Sequence, residues 1–114
     1  GSLQMTVQAI STMLRYGLKP IIFVLNNSGY TIERVFLGRD SSYNEVQNWN
    51  YLKLADAFGG KANVQKVFSD SELEKTIQDI NEFPDKMWLV EVIMDKYKCP
   101  AALQTLADIV AGKK

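Results

Sequence analysis

The chain has 114 residues, enough for one domain or part of one. Apolar residues make up 46% of it, which supports a packed core and excludes disorder, and 13 basic residues balance 13 acidic ones, so no basic block points to nucleic acid. No apolar run approaches the ~18 residues that span a bilayer, and no signal-peptide pattern is visible. The single cysteine, Cys99, rules out an internal disulfide and fits a reducing, cytoplasmic setting. The chain has no histidine, which removes Ser-His-Asp and Cys-His catalysis and argues against zinc or copper. Any chemistry must come from carboxylates, amides, backbone groups or a cofactor.

Leu3, Val7, Ile10 and Leu14 recur at helical spacing with Met13 beside them, predicting one helix ended by Gly17 and Pro20. Ile21 to Leu25 is an unbroken branched and aromatic run, expected as a strand buried on both faces. Asn26 to Gly29 is turn chemistry, and Tyr30 to Leu37 predicts a short helix ended at Gly38. Arg39 to Gln47 reads as a polar surface loop in which Asp40 and Glu45 are loop charges, with nothing pairing them as an acid/base couple. Asn50 is expected to cap a helix through Phe58, closed by Gly59-Gly60, and Val64 to Phe68 is a second strand.

Ser69-Asp70-Ser71-Glu72 reads as a capping box ahead of a helix with Leu73, Ile77 and Ile80 inward. After the Pro84-Asp85 turn, Met87 to Met94 is a third, strongly apolar strand. Pro100 opens a last helix with Leu103, Leu106 and Val110 inward, and Lys113 and Lys114 lie where the dipole favours cations. Cys99 is expected to be an inert thiol, Trp49 and Trp88 core or interface aromatics, and the methionines core filler. Strands alternating with helices imply an α/β fold with a parallel sheet and flanking helices. Three strands make a thin sheet, and the pattern opens on a helix with no strand before it, so part of the domain is expected upstream.

In open α/β sheets ligands gather at the carboxyl ends of the strands, and Asn26-Asn27 stand at such an end. Carboxamide oxygens suit hard cations such as magnesium, and Gly29 would let the backbone turn back and add its carbonyl. The same residues also make an ordinary turn after a strand, and the motif alone leaves both readings open. Glu33 is likewise either a solvated helix-face charge or a proton-handling carboxylate in a closed pocket.

The segments "GSLQMTVQAISTMLRYGLKPIIFVLNNSGYTIERVFLG", "YNEVQNWNYLKLADAFGG" and "MWLVEVIMDKYKCPAALQ" resemble the C-terminal cofactor domain of pyruvate decarboxylases of the fungal type. These are thiamine diphosphate-dependent 2-oxo acid decarboxylases, and the resemblance covers nearly the whole chain. Their cofactor motif runs from Gly-Asp-Gly to Asn-Asn. Gly1 would be its last glycine and residues 2–25 its spacer, which favours Gly1-Ser2 as native sequence over a cloning scar. The fold implied is the second part of a thiamine diphosphate-binding domain, residues 1–114 forming a partial domain whose metal-binding aspartate lies before Gly1.

By the same resemblance, Asn27 gives a side-chain oxygen and Gly29 a carbonyl to Mg2+, while Asn26 supports the turn. Gly1, Ser2 and Tyr30 lie beside the cofactor, Gly1 and Ser2 at a helix start that favours the diphosphate. Ile32 lines the substrate pocket, and Glu33 assists decarboxylation and protonation. The reaction implied is conversion of pyruvate, or a related 2-oxo acid, to an aldehyde and CO2, with the cofactor as electron sink. The implied partners are the 2-oxo acid and the N-terminal cofactor domain of a partner subunit in a homodimer or homotetramer. The chain alone, lacking that domain's residues, is expected to be inactive. An indolepyruvate or phenylpyruvate decarboxylase, an acetolactate synthase, and a non-catalytic α/β interaction module are the alternatives.

Overall fold

The computed structural model describes residues 1–112, and the expectation about Lys113 and Lys114 falls outside them. Its contacts divide the chain into two compact units: Ser2–Asn26 with Trp49–Ile93, and Asn27–Asn48 with 94–112 and Gly1.

The first unit holds the sheet. Its three strands, β1 (Ile21–Asn26), β2 (Ala62–Val67) and β3 (Met87–Ile93), are parallel in the order β1-β3-β2. β3 takes the centre because it is apolar on both faces: Met87 to Glu91 are all buried, Leu89 and Val90 completely. Its alternate residues feed two cores. Trp88 and Val90 join Val67 and Ile80, with Leu73 and Val92 packed alongside. Leu89 joins Val24 and Tyr51, with Leu3, Ile22, Leu52, Leu54 and Ala62 around them.

β1 departs from expectation. In register, Ile21, Phe23 and Leu25 pair with Trp88, Val90 and Val92 and share their face. The helix covering that face, α5 (Asp70–Glu82), packs over β2 and β3, so these three β1 residues stay exposed, Leu25 at 65%. An apolar edge strand can be uncovered on one face even where its composition reads as fully buried.

The helices show similar shifts. The expected first helix is two, α1 (Ser2–Thr6) and α2 (Ala9–Arg15), interrupted by a turn at Val7-Gln8. Gly17, at φ 63°, takes the left-handed conformation that ends α2. The predicted 50–58 helix is a 3₁₀ turn, Tyr51–Lys53, followed by α4 (Leu54–Ala57), and the Asn50 side chain caps neither. The capping box of α5 forms: Glu72 N–H donates to Ser69 Oγ at 3.3 Å, and the Glu72 carboxylate accepts from Phe68 N–H at 3.0 Å. Thr76 is buried in place of Ile77, its hydroxyl donating to the Glu72 carbonyl at 2.9 Å.

The second unit comprises α3 (Thr31–Leu37), a 3₁₀ turn at Ser42–Asn44, and α6 (Ala101–Val110), with α3 packed on α6. Ala107 is the buried residue of α6, with Leu103 beside it on the same face. Leu106 and Val110, expected inward, are exposed because α6 turns its 103/107 ridge inward instead. Cys99 is half-buried and free.

Candidate functional site

The site is built on the turn that follows β1. Asn26, the last residue of the strand, donates from Nδ2 to Glu91 Oε2 on β3 at 2.7 Å. Glu91 is buried, and Lys66 on β2 stands 3.7 Å from its other oxygen. Asn26 therefore satisfies a buried carboxylate, a supporting role.

Asn27 is held differently. Its Nδ2 lies 2.9 Å from Thr31 Oγ1, and that hydroxyl donates to the Lys96 carbonyl at 2.9 Å. Since the hydroxyl proton is committed to Lys96, Thr31 Oγ1 must accept from Asn27. This relay fixes which end of the carboxamide is nitrogen. Asn27 Oδ1 accepts no bond among the described residues.

The backbone reversal comes from Ser28, at φ 60°, and not from Gly29 as expected. Gly29 is required for a different reason. It is buried, and a Cβ there would collide with the Asn44 carbonyl oxygen and Arg34 Nη2. The chain at Asn44–Val46 lies across it as a one-residue antiparallel bridge between Gly29 and Glu45. Tyr30 N–H donates to the Asn44 carbonyl at 3.0 Å, and Val46 N–H to the Ser28 carbonyl at 3.4 Å. Both bonds use the neighbours of Gly29, and its own carbonyl stays out of the ladder.

Arg34 secures this strap. It sits in α3 at 3% exposure, where a guanidinium is costly unless its donors are matched. Nη1 donates to Glu45 Oε1 at 3.1 Å and to the Arg39 carbonyl at 3.2 Å. Nη2 donates to the carbonyls of Ser28 at 3.3 Å and Asn44 at 3.2 Å. Lys96 Nζ reaches the same Glu45 oxygen at 3.1 Å. The hydrogen bond from Arg34, then that from Lys96, holds the Glu45 carboxyl below its ordinary range. Glu45, and to a lesser extent Tyr97, raises the Lys96 ammonium.

Residues 39–47 are thus no plain surface loop. Asn44 is fully buried and donates from Nδ2 to the Gly38 carbonyl at 2.8 Å. Asp40 and Glu45 do not pair with each other, as expected, but each has a partner of its own: Tyr97 donates its hydroxyl to Asp40 Oδ1 at 2.8 Å, and Arg34 and Lys96 both reach Glu45. Sequence reasoning passed over Thr31, Arg34, Asn44, Glu45 and Lys96. Only the Tyr-Asn-Glu run beside a glycine-dependent turn could have hinted at a second segment crossing it.

A Cβ on Gly1 would meet the Tyr30 ring, which places Gly1 against that ring. Ser2 is the exposed first residue of α1, a five-residue helix with a weaker dipole than the longer one expected. Ile32 and Glu33 project from the first turn of α3, both exposed, and Glu33 makes no hydrogen bond or ion pair among the described residues. The closed pocket expected around Glu33 is not formed by the described residues. A groove of about 410 Å³ lies instead along another side of α3, lined by Thr31, Arg34, Val35, Arg39, Tyr97 and Gln104 among others.

The donors match a magnesium-bridged diphosphate in kind. Asn27 Oδ1 and the Gly29 carbonyl are hard, neutral oxygens, and the relay through Thr31 occupies the amide nitrogen of Asn27 and not its oxygen. The described residues contain no group of three or more acidic, cysteine or histidine side chains that could cage a metal. No helix of the described residues is long and apolar enough to cross a membrane.

Residues 1–92 match the family model described as the thiamine pyrophosphate enzyme, C-terminal TPP binding domain. The chain is 46% identical over 98% of its length to pyruvate decarboxylase isozyme 2 of Saccharomyces cerevisiae. It is also 46% identical to a pyruvate decarboxylase of Candida glabrata and 40% identical to one of Aspergillus fumigatus. It spans 20% of the length of each of these relatives. The chain belongs to the thiamine pyrophosphate enzymes, within the family defined by their C-terminal TPP-binding domain.

Proposed function

We propose that this chain supplies part of the cofactor domain of a thiamine diphosphate- and Mg2+-dependent decarboxylase. Its reaction is conversion of pyruvate, or a related 2-oxo acid, to an aldehyde and CO2. The observation that carries the reading is the Asn27–Gly29 turn: one amide oxygen and one carbonyl, both left out of the hydrogen bonding among the described residues, in a chain 46% identical to a pyruvate decarboxylase. Thiamine diphosphate, when bound, supplies the electron sink that lets CO2 leave the 2-oxo acid.

The chain's own residues do the rest. Asn27 and Gly29 hold the cation that anchors the diphosphate, with Gly1, Ser2 and Tyr30 beside it. Ile32 offers an apolar wall to the substrate. Glu33, exposed on α3 and without a partner among the described residues, is free to exchange a proton with the reacting carbon. The remaining coordination and the walls of the pocket come from outside this chain, in a longer cytoplasmic polypeptide. There, the N-terminal cofactor domain of a partner subunit meets the cofactor in a homodimer or homotetramer.

The test is an assay of the full-length protein with Mg2+ and thiamine diphosphate on pyruvate and on aromatic 2-oxo acids. Stoichiometric CO2 and aldehyde are expected, with loss of the Mg2+ dependence and of most activity in Asn27→Ala. Absence of decarboxylation on every 2-oxo acid, or full activity in Asn27→Ala, would overturn the proposal.

A further inference from the structure

We infer that Glu45 is a positioning residue that holds both proposed cation ligands, the Asn27 amide and the Gly29 carbonyl, through two hydrogen-bonded arms meeting at one carboxylate oxygen. The inference rests on the reading of Asn27 and Gly29 as magnesium ligands.

The first arm runs to Gly29. Glu45 Oε1 accepts from Arg34 Nη1 at 3.1 Å, and Arg34 Nη2 donates to the Ser28 carbonyl at 3.3 Å. That carbonyl belongs to the peptide joining Ser28 to Gly29, so its direction sets the orientation in which the Gly29 backbone begins. The second arm runs to Asn27. The same Oε1 accepts from Lys96 Nζ at 3.1 Å, and the Lys96 carbonyl accepts from Thr31, which accepts from Asn27 Nδ2.

Glu45 itself lies opposite Gly29 in the antiparallel bridge. Its backbone and its carboxylate therefore act on the same turn. Magnesium demands near-ideal octahedral geometry, so a small rotation of either oxygen donor is felt. Partners that orient metal ligands typically contribute ~10–100-fold to metal affinity.

The experiment is calorimetric titration of Mg2+ into the full-length protein at saturating thiamine diphosphate, with the thermal midpoint of the metal-free protein read in parallel. Glu45→Gln and Thr31→Val are expected to weaken Mg2+ binding by ~10–100-fold. Thr31→Ser keeps the hydroxyl and should stay near wild type. The double variant should lose less than the product of the single losses, because both changes act on one network. Where Glu45→Gln does not fold, Lys96→Met breaks the same junction from its cationic side and is expected to weaken Mg2+ in the same direction. Unchanged Mg2+ affinity in the folded variants, even with a lowered midpoint, would overturn the inference and leave the ligand assignment standing. Failure of the wild-type protein to bind Mg2+ would overturn the ligand assignment and this inference with it.

Discussion

Gly29 and Asn44 approach so closely that no side chain fits between them: a Cβ on Gly29 would collide with the Asn44 carbonyl oxygen. The obstacle is backbone, held by the Tyr30 N–H and by Arg34, so it cannot rotate away. Gly29→Ala must push the strap off the turn. The expected loss is ~1–3 kcal/mol in denaturant unfolding, the range for inserting volume into a packed site, together with weakened Mg2+ binding. Unchanged stability and unchanged Mg2+ affinity in Gly29→Ala would show that the strap yields freely.

The two asparagines at the end of β1 should respond oppositely to substitution. Asn26→Leu leaves the buried Glu91 carboxylate without its 2.7 Å donor, at an expected cost of ~1–3 kcal/mol. Replacing Glu91 by Leu as well should recover part of that loss, because no buried charge is then left unmatched and Lys66, its 3.7 Å neighbour, is half-exposed. Asn27→Leu should change stability little and Mg2+ binding strongly. Equal stability losses for the two single variants would refute this division of labour.

Acid should release the Glu45 junction. The folded-state pKa of Glu45 lies below its ordinary 4.5, so its contribution is present above that value and is lost as pH falls through the folded one. Lys96 is raised, so its contribution persists below 10.5 and is lost as pH climbs through its folded value. Glu45→Gln should therefore flatten the acid limb of the stability profile below about pH 4.5. An acid limb of unchanged slope would mean that other carboxylates set it.

Much of the fold was legible because strands and helices announce themselves by period. The order of elements, the parallel sheet, the α5 capping box and the Gly38 end of α3 all follow from local chemistry. What misled was coverage. Ile21, Phe23 and Leu25 carry the composition of a doubly buried strand, yet exposure depends on how far α5 extends, which no local pattern encodes. The candidate site is proposed from Asn27 and Gly29, and only with the resemblance beside them. The residues that brace it were not legible, because Glu45 meets Arg34 across 11 positions and Lys96 across 51. In isolation each reads as an ordinary surface charge.

Glu33 and Arg34 are neighbours on α3 with opposite fates. Arg34 is buried with four acceptors, so replacing it disturbs the turn and reports on structure. Glu33 is exposed and touches no partner among the described residues, so Glu33→Gln should leave stability within ~0.5 kcal/mol. Any effect on turnover is then chemical. As the proposed proton-exchanging group, Glu33 should contribute ~10²–10⁴-fold to kcat, lost in Glu33→Gln while thiamine diphosphate and Mg2+ affinities hold. The measurement is steady-state decarboxylation by the full-length variant alongside calorimetric cofactor binding. A kcat near wild type would return Glu33 to the role its exposure alone implies, a solvated charge on a helix. A parallel loss of cofactor affinity would move it from proton transfer to binding.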